Sequence, residues 1–175
     1  MKKRRQGGFT LIELALVAGI SVLVASGLIA MFKADILMVN QASKFKFLAQ
    51  DAPITGLLLT RTIGNAEDYR IYNTGPDARS PNGTPVLKGQ AVRLWMRQPN
   101  STFRQVVVSF ETINGHSGIY VFLTDLSTGA FSATPNWELA GGQLTNATFD
   151  ANSGVLLVTL NGSNNDWYQF AAEKK

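Results

Sequence analysis

The 175-residue chain contains no cysteine and a single histidine. The first absence excludes disulfides and thiol chemistry. The two together exclude zinc sites built from those residues. His116 sits in Asn114-Gly115-His116-Ser117-Gly118, where a solvated turn residue is the simplest reading. A Ser-His-Asp triad would need this histidine, and no serine or aspartate is singled out as its partner. Calcium would need clustered oxygens. Asp150 with Asn152, or the run Asn161–Asp166, offers some, but without EF-hand spacing both read as turns. An excess of basic charge is also missing outside one place. Of the 16 Lys and Arg residues, Lys2, Lys3, Arg4 and Arg5 supply the whole excess over 12 acidic residues. Beyond them the charges balance, which argues against a nucleic-acid-binding surface. Nothing here indicates an enzyme or a cofactor.

What the chain does have is concentrated at its start. The basic run ends in Gln6-Gly7-Gly8, and Phe9-Thr10-Leu11-Ile12-Glu13-Leu14 opens an apolar stretch that lasts to Phe32. The 24 residues Phe9–Phe32 reach ~36 Å as a helix, against a hydrocarbon core of ~30 Å. They can therefore span a bilayer once. The basic flank orients such a span with its leader in the cytoplasm and the C-terminal domain outside. A secretory signal peptide is the rival reading, with Ala25-Ser26-Gly27 as its small-residue site. The apolar run continues past that site and is too long for such a signal. Glu13 stands alone in this segment. A carboxylate at the centre of a bilayer costs roughly 2.5–3.5 kcal/mol on insertion scales, so an acid retained there points to function.

The block Gly8-Phe9-Thr10-Leu11-Ile12-Glu13, with its basic leader, resembles the class III signal of type IV pilins and of type II secretion pseudopilins. That resemblance implies cleavage between Gly8 and Phe9 by a membrane prepilin peptidase. It implies N-methylation of the new Phe9 amine. It also implies that Glu13 pairs with the Phe9 amine of a neighbouring subunit during assembly on an inner-membrane platform. The resemblance covers about the first quarter of the chain. Many type IV pilins clamp a C-terminal loop with a disulfide. This chain lacks one, which favours a pseudopilin or a cysteine-free minor pilin.

Residues 33–65 read as an amphipathic continuation of the helix. Met38, Ala42, Phe45, Leu48, Ala52, Leu59 and Ile63 recur at near-helical spacing. Pro53 should bend this helix, Gly56 should permit close packing, and Gly64-Asn65 should end it. Residues 66–90 mix one short strand, Tyr69–Tyr72, with the turn chemistry of Gly75-Pro76-Asp77 and Ser80–Pro85. In the pilin family this position is a variable loop, and it is the expected place for partner-specific contacts. From residue 86 the pattern changes to period-two alternation, with hairpin signals at Asn114-Gly115 and Asn161-Gly162. Arg93, Arg97 and Arg104 read as a solvated sheet face. Trp95, Trp137 and Trp167 read as aromatics covered by a helix or loop.

The fold class this predicts is α+β and pilin-like. A long N-terminal helix comprises a transmembrane half, residues 9–32, and an amphipathic half, residues 33–65. The second half packs on a small antiparallel β-sheet within an extracytoplasmic domain, residues 66–175. Residues 1–8 are a leader to be removed. The predicted role is structural: a filament subunit whose partners are other pilin-like subunits, the peptidase, the assembly platform and the membrane. The alternative from another class is an unpolymerised, membrane-anchored extracytoplasmic binding domain.

Overall fold

The computed structural model describes residues 10–141 and 143–173. Lys2, Lys3, Arg4, Arg5 and the Gly8-Phe9 junction lie outside the described residues. The chain divides into two compact units, Met1–Lys44 and Phe45–Lys175. As the sequence implied, a long apolar N-terminal helix is followed by antiparallel sheets in an α+β arrangement.

Helix α1 spans Leu11–Lys46 and supplies the described part of the first unit. It is rich in leucine, alanine and isoleucine and holds no proline, so nothing interrupts its hydrogen-bond ladder. Apolar side chains lie all round it. Leu11, Leu23 and Met38 are 88, 72 and 73 % exposed. A helix with that surface needs lipid or other helices around it.

In the second unit the helical backbone widens into one π turn, Phe47–Asp51, closed by the Ala52 N–H on the Phe47 carbonyl. Helix α2, Ala52–Gly64, follows with Pro53 in its first turn. Proline has no N–H, and its ring presses on the carbonyl four residues back. The wider turn relieves both problems, so the local distortion expected at Pro53 appears as a π turn. Gly64-Asn65 does end the helix, with the Asn65 N–H on the Arg61 carbonyl at 3.2 Å. Ala52, Thr55, Gly56, Leu59 and Ile63 form its buried face. Gly56 lies against the rings of Tyr168 and Phe170, where a Cβ would approach Tyr168 to 2.9 Å. Of the stripe read from sequence, Met38 and Ala42 are exposed. The side chains of Phe45 and Leu48 lie outside the described residues.

The strands are β1 Asp68–Tyr72, β2 Lys88–Gly89, β3 Ala91–Arg97, β4 Phe103–Ile113, β5 His116–Leu123, β6 Trp137–Gly141, β7 Leu144–Asp150, β8 Leu156–Gly162 and β9 Trp167–Ala172. They form two sheets rather than the single sheet the alternation suggested. One has the order β1-β3-β4-β5-β6 and the other β2-β7-β8-β9. The main core lies among α2 and the two sheets. Leu59 and Ile63 meet Val92, Leu94, Val106, Val108, Phe149, Val158 and Leu160 there.

The five-stranded sheet is buried on its other face as well. Tyr72, Ala91, Val107, Tyr120 and Phe122 form a second cluster with Ala78, which belongs to helix α3, Gly75–Arg79. The 66–90 stretch thus contributes β1 at an edge of this sheet, β2 at an edge of the other, and the short helix that covers this face. Thr74 caps α3, accepting from the Asp77 N–H at 3.3 Å. The Arg79 guanidinium pairs with Glu111 and lies 3.8 Å over the Phe122 ring. The Arg93 side chain donates to the Ala78 and Ser80 carbonyls at 2.6 and 2.7 Å. It also stacks over Tyr72 and Phe131. These contacts correct the reading of Arg93 as solvated: it clamps α3 onto the sheet. Arg104 is half-buried, and only Arg97 is exposed.

The hairpin signals resolve differently. Asn114 and Gly115 take φ of 52° and 80° and join β4 to β5 as a two-residue turn. Asn161-Gly162 is not a turn. It ends β8, and the chain reverses over residues 163–166, with Asn165 at φ 61°. Gly162 is needed for closeness instead. A Cβ there would lie 2.2 Å from Asp166 Oδ1 and 2.6 Å from Phe47 Cδ1. Asp150 accepts the Asn152 N–H and pairs with Lys88 at 3.3 Å. The amide hydrogen bond first, and the ammonium after it, hold its carboxyl below the usual aspartate range.

Candidate functional site

The lone carboxylate of the apolar segment sits in the first turn of α1. A helix begins with backbone N–H groups that have no partner within the helix. Thr10 and Glu13 supply partners reciprocally. The Glu13 N–H donates to Thr10 Oγ1 at 3.4 Å, and Glu13 Oε2 accepts the Thr10 N–H at 2.9 Å. The Thr10 hydroxyl also donates to Glu13 Oε2, at 2.8 Å. The Leu14 N–H on the Thr10 carbonyl, at 3.2 Å, closes the first full turn. This is a capping box, Thr-x-x-Glu. Its signal stands in the sequence at residues 10–13. Sequence reasoning weighed Glu13 for its charge and missed its helix-starting role.

The geometry gives Glu13 two properties. Its carboxylate is held at the end of the helix where the macrodipole favours negative charge. The second oxygen, Oε1, makes no hydrogen bond among the described residues, so it can accept from an outside donor such as an ammonium group. Further along, the helix satisfies its own polar side chains. Ser21 Oγ donates to the Val17 carbonyl and Ser26 Oγ to the Leu23 carbonyl, each at 2.8 Å. Hydroxyls bonded back in this way can sit in a hydrocarbon environment. The stretch Leu11–Ala42 is long and apolar enough to cross a membrane.

The second unit holds the other residues weighed for chemistry. His116 opens β5 and is exposed. Among the described residues, no three metal-capable side chains converge. Trp95 is half-buried with the Arg70 guanidinium 5.3 Å over its ring. Trp137 and Trp167 are 56 and 63 % exposed, so they are not the covered aromatics expected of them.

A family model described as the prokaryotic N-terminal methylation motif matches residues 3–29. No curated protein and no solved structure matches the chain. The match takes in Lys3, Arg4 and Arg5 of the leader, the Gly8-Phe9 junction, Thr10, Glu13 and most of the apolar run. The chain therefore carries a prepilin-type signal, of the kind typical of type IV pilins and pseudopilins. Motif and helix together suggest a pilin-like subunit anchored in the inner membrane before assembly.

Proposed function

We propose that the chain is a structural subunit, a minor pilin or pseudopilin, of a type IV pilus or a type II secretion filament. Prepilin peptidase removes residues 1–8 at the Gly8-Phe9 junction, and the Phe9 amine is methylated. Lys2, Lys3, Arg4 and Arg5 hold the leader in the cytoplasm until then. Residues 9–32 keep the subunit in the inner membrane with residues 66–175 outside. On assembly the apolar surface of α1 passes from lipid to the helices of other subunits, and Glu13 Oε1 meets the Phe9 ammonium of a neighbour.

One observation carries this reading. The methylation motif coincides with a helix that is apolar all round and starts with a single, half-satisfied carboxylate. A simple anchor needs the apolar surface and a helix cap, but a neutral glutamine would cap as well without opposing insertion, so the cap alone does not explain an acid. Pairing with an ammonium in a low-dielectric bundle gives that acid a purpose.

Intact-mass and N-terminal peptide analysis of the protein from native membranes tests the proposal. The expected chain begins at Phe9 and carries one methyl group on its amine. A chain that keeps Met1 in cells with active peptidase would leave an unpolymerised anchored domain as the better reading.

A further inference from the structure

Helix α2 leaves part of the five-stranded sheet uncovered, and a groove of 360 Å³ lies there. Its lining is largely apolar, with Met96 and Val106 from adjacent strands and Leu58 from α2. Trp137, on the edge strand β6, stands more than half exposed at its side. Two guanidinium groups line the same groove, Arg61 and Arg104. Arg104 gives its Nε–H to the Thr124 carbonyl at 3.3 Å. Among the described residues, Arg61 has no ion pair and no side-chain hydrogen bond. No acidic side chain lines the groove.

We propose that this groove docks a segment of a partner protein that combines apolar side chains with carboxylates. Charge complementarity selects the partner. Arg104 shares its charge with Asp125 in a neighbouring cavity. Arg61, over an apolar floor and without an ion pair among the described residues, is therefore the main group that favours carboxylates and repels ammonium groups. Size sets the scale of the segment. A cavity of about 150 Å³ accepts a benzene-sized group, so this groove takes roughly two such side chains. An exposed tryptophan beside two arginines is also the composition of binding hot spots. The 66–90 stretch, where partner contacts were expected, covers the opposite face of the same sheet. The docking surface lies on the face that stretch does not cover. The proposal stands independently of the filament reading, since it concerns only the second unit.

The test uses the full-length protein in lipid nanodiscs. Calorimetric titration compares a capped heptapeptide of alternating leucine and aspartate with one in which lysine replaces aspartate. The aspartate peptide is expected to bind at least tenfold more tightly, the loss expected when charge-assisted hydrogen bonds become like-charge contacts. Arg61→Glu should weaken the aspartate peptide about tenfold and strengthen the lysine peptide. Trp137→Ala should weaken both. Both side chains are exposed, so the melting temperature should stay unchanged and serves as the folding control. The proposal is overturned if neither peptide binds the unaltered protein, or if the two bind equally and Arg61→Glu has no effect. Neither result bears on cleavage at Gly8, which the mass analysis reads separately.

Discussion

Glu13 starts the helix, and in the proposed subunit the same side chain also makes the contact with a neighbour. One oxygen belongs to the capping box with Thr10, and the other is open to a neighbour. The two roles are separable by substitution. Glutamine also serves at this capping position, so Glu13→Gln should keep the helix start and the amount of protein in the membrane. It should lose filament incorporation, because the neutral amide no longer pairs with an ammonium. Glu13→Val should insert at least as well, since a costly charge is gone, and should also fail to assemble. Shearing filaments from cells and comparing the subunit with the membrane pool measures both. Normal assembly of the Glu13→Gln protein would mean that the carboxylate serves only as a cap. The identity of this residue was legible in the sequence because a lone acid in an apolar run is conspicuous. Its cap was equally legible in Thr10-Leu11-Ile12-Glu13. Arg93 was not legible. In the strand it alternates with Val92 and Leu94 and so lies on the opposite face, but only the structure shows that α3 covers that face too.

Helix α2 was readable because it obeys one period. Leu59 and Ile63 are both fully buried at i, i+4 spacing, and Gly56 sits where a side chain would strike Tyr168. The same element carries a second, exposed face with Ile54, Leu57 and Leu58. That contrast makes a direct prediction. Leu59→Asp should unfold or aggregate the outer unit, because an unpaired buried carboxylate costs several kcal/mol, comparable to the stability of a small domain. Leu57→Asp should stay within about 0.5 kcal/mol of the unaltered protein. Thermal melts followed by circular dichroism distinguish the two, and equal melts would contradict the packing of α2 on the sheets. Other elements were less legible for physical reasons. The strands were read individually from alternation, but their division into two sheets depends on pairings between distant residues, which alternation does not encode. Helix α3 is only five residues long, too short for a periodic signal. Gly75-Pro76-Asp77 reads as turn chemistry, though these residues start a helix once Thr74 caps it.

At the scale of the whole molecule, the two units present different surfaces. The first exposes apolar side chains all round a helix and carries the processing motif. The second buries a core without any disulfide, and residues 9–175 hold as many basic as acidic side chains. The N-terminal unit was the more legible because charge, glycine, phenylalanine, acid and apolar length coincide in one short stretch. The second unit gave its secondary structure but not its uncovered groove, which arises from where α2 ends over the sheet. The central claim is that α1 exchanges lipid for the helices of other subunits. A photoreactive phenylalanine analogue in place of Leu16, on the exposed surface of α1, tests this in cells. Ultraviolet light should give a ladder of dimers, trimers and larger species, and Glu13→Val in the same chain should abolish it. A monomer alone, in cells that assemble filaments, would contradict the account.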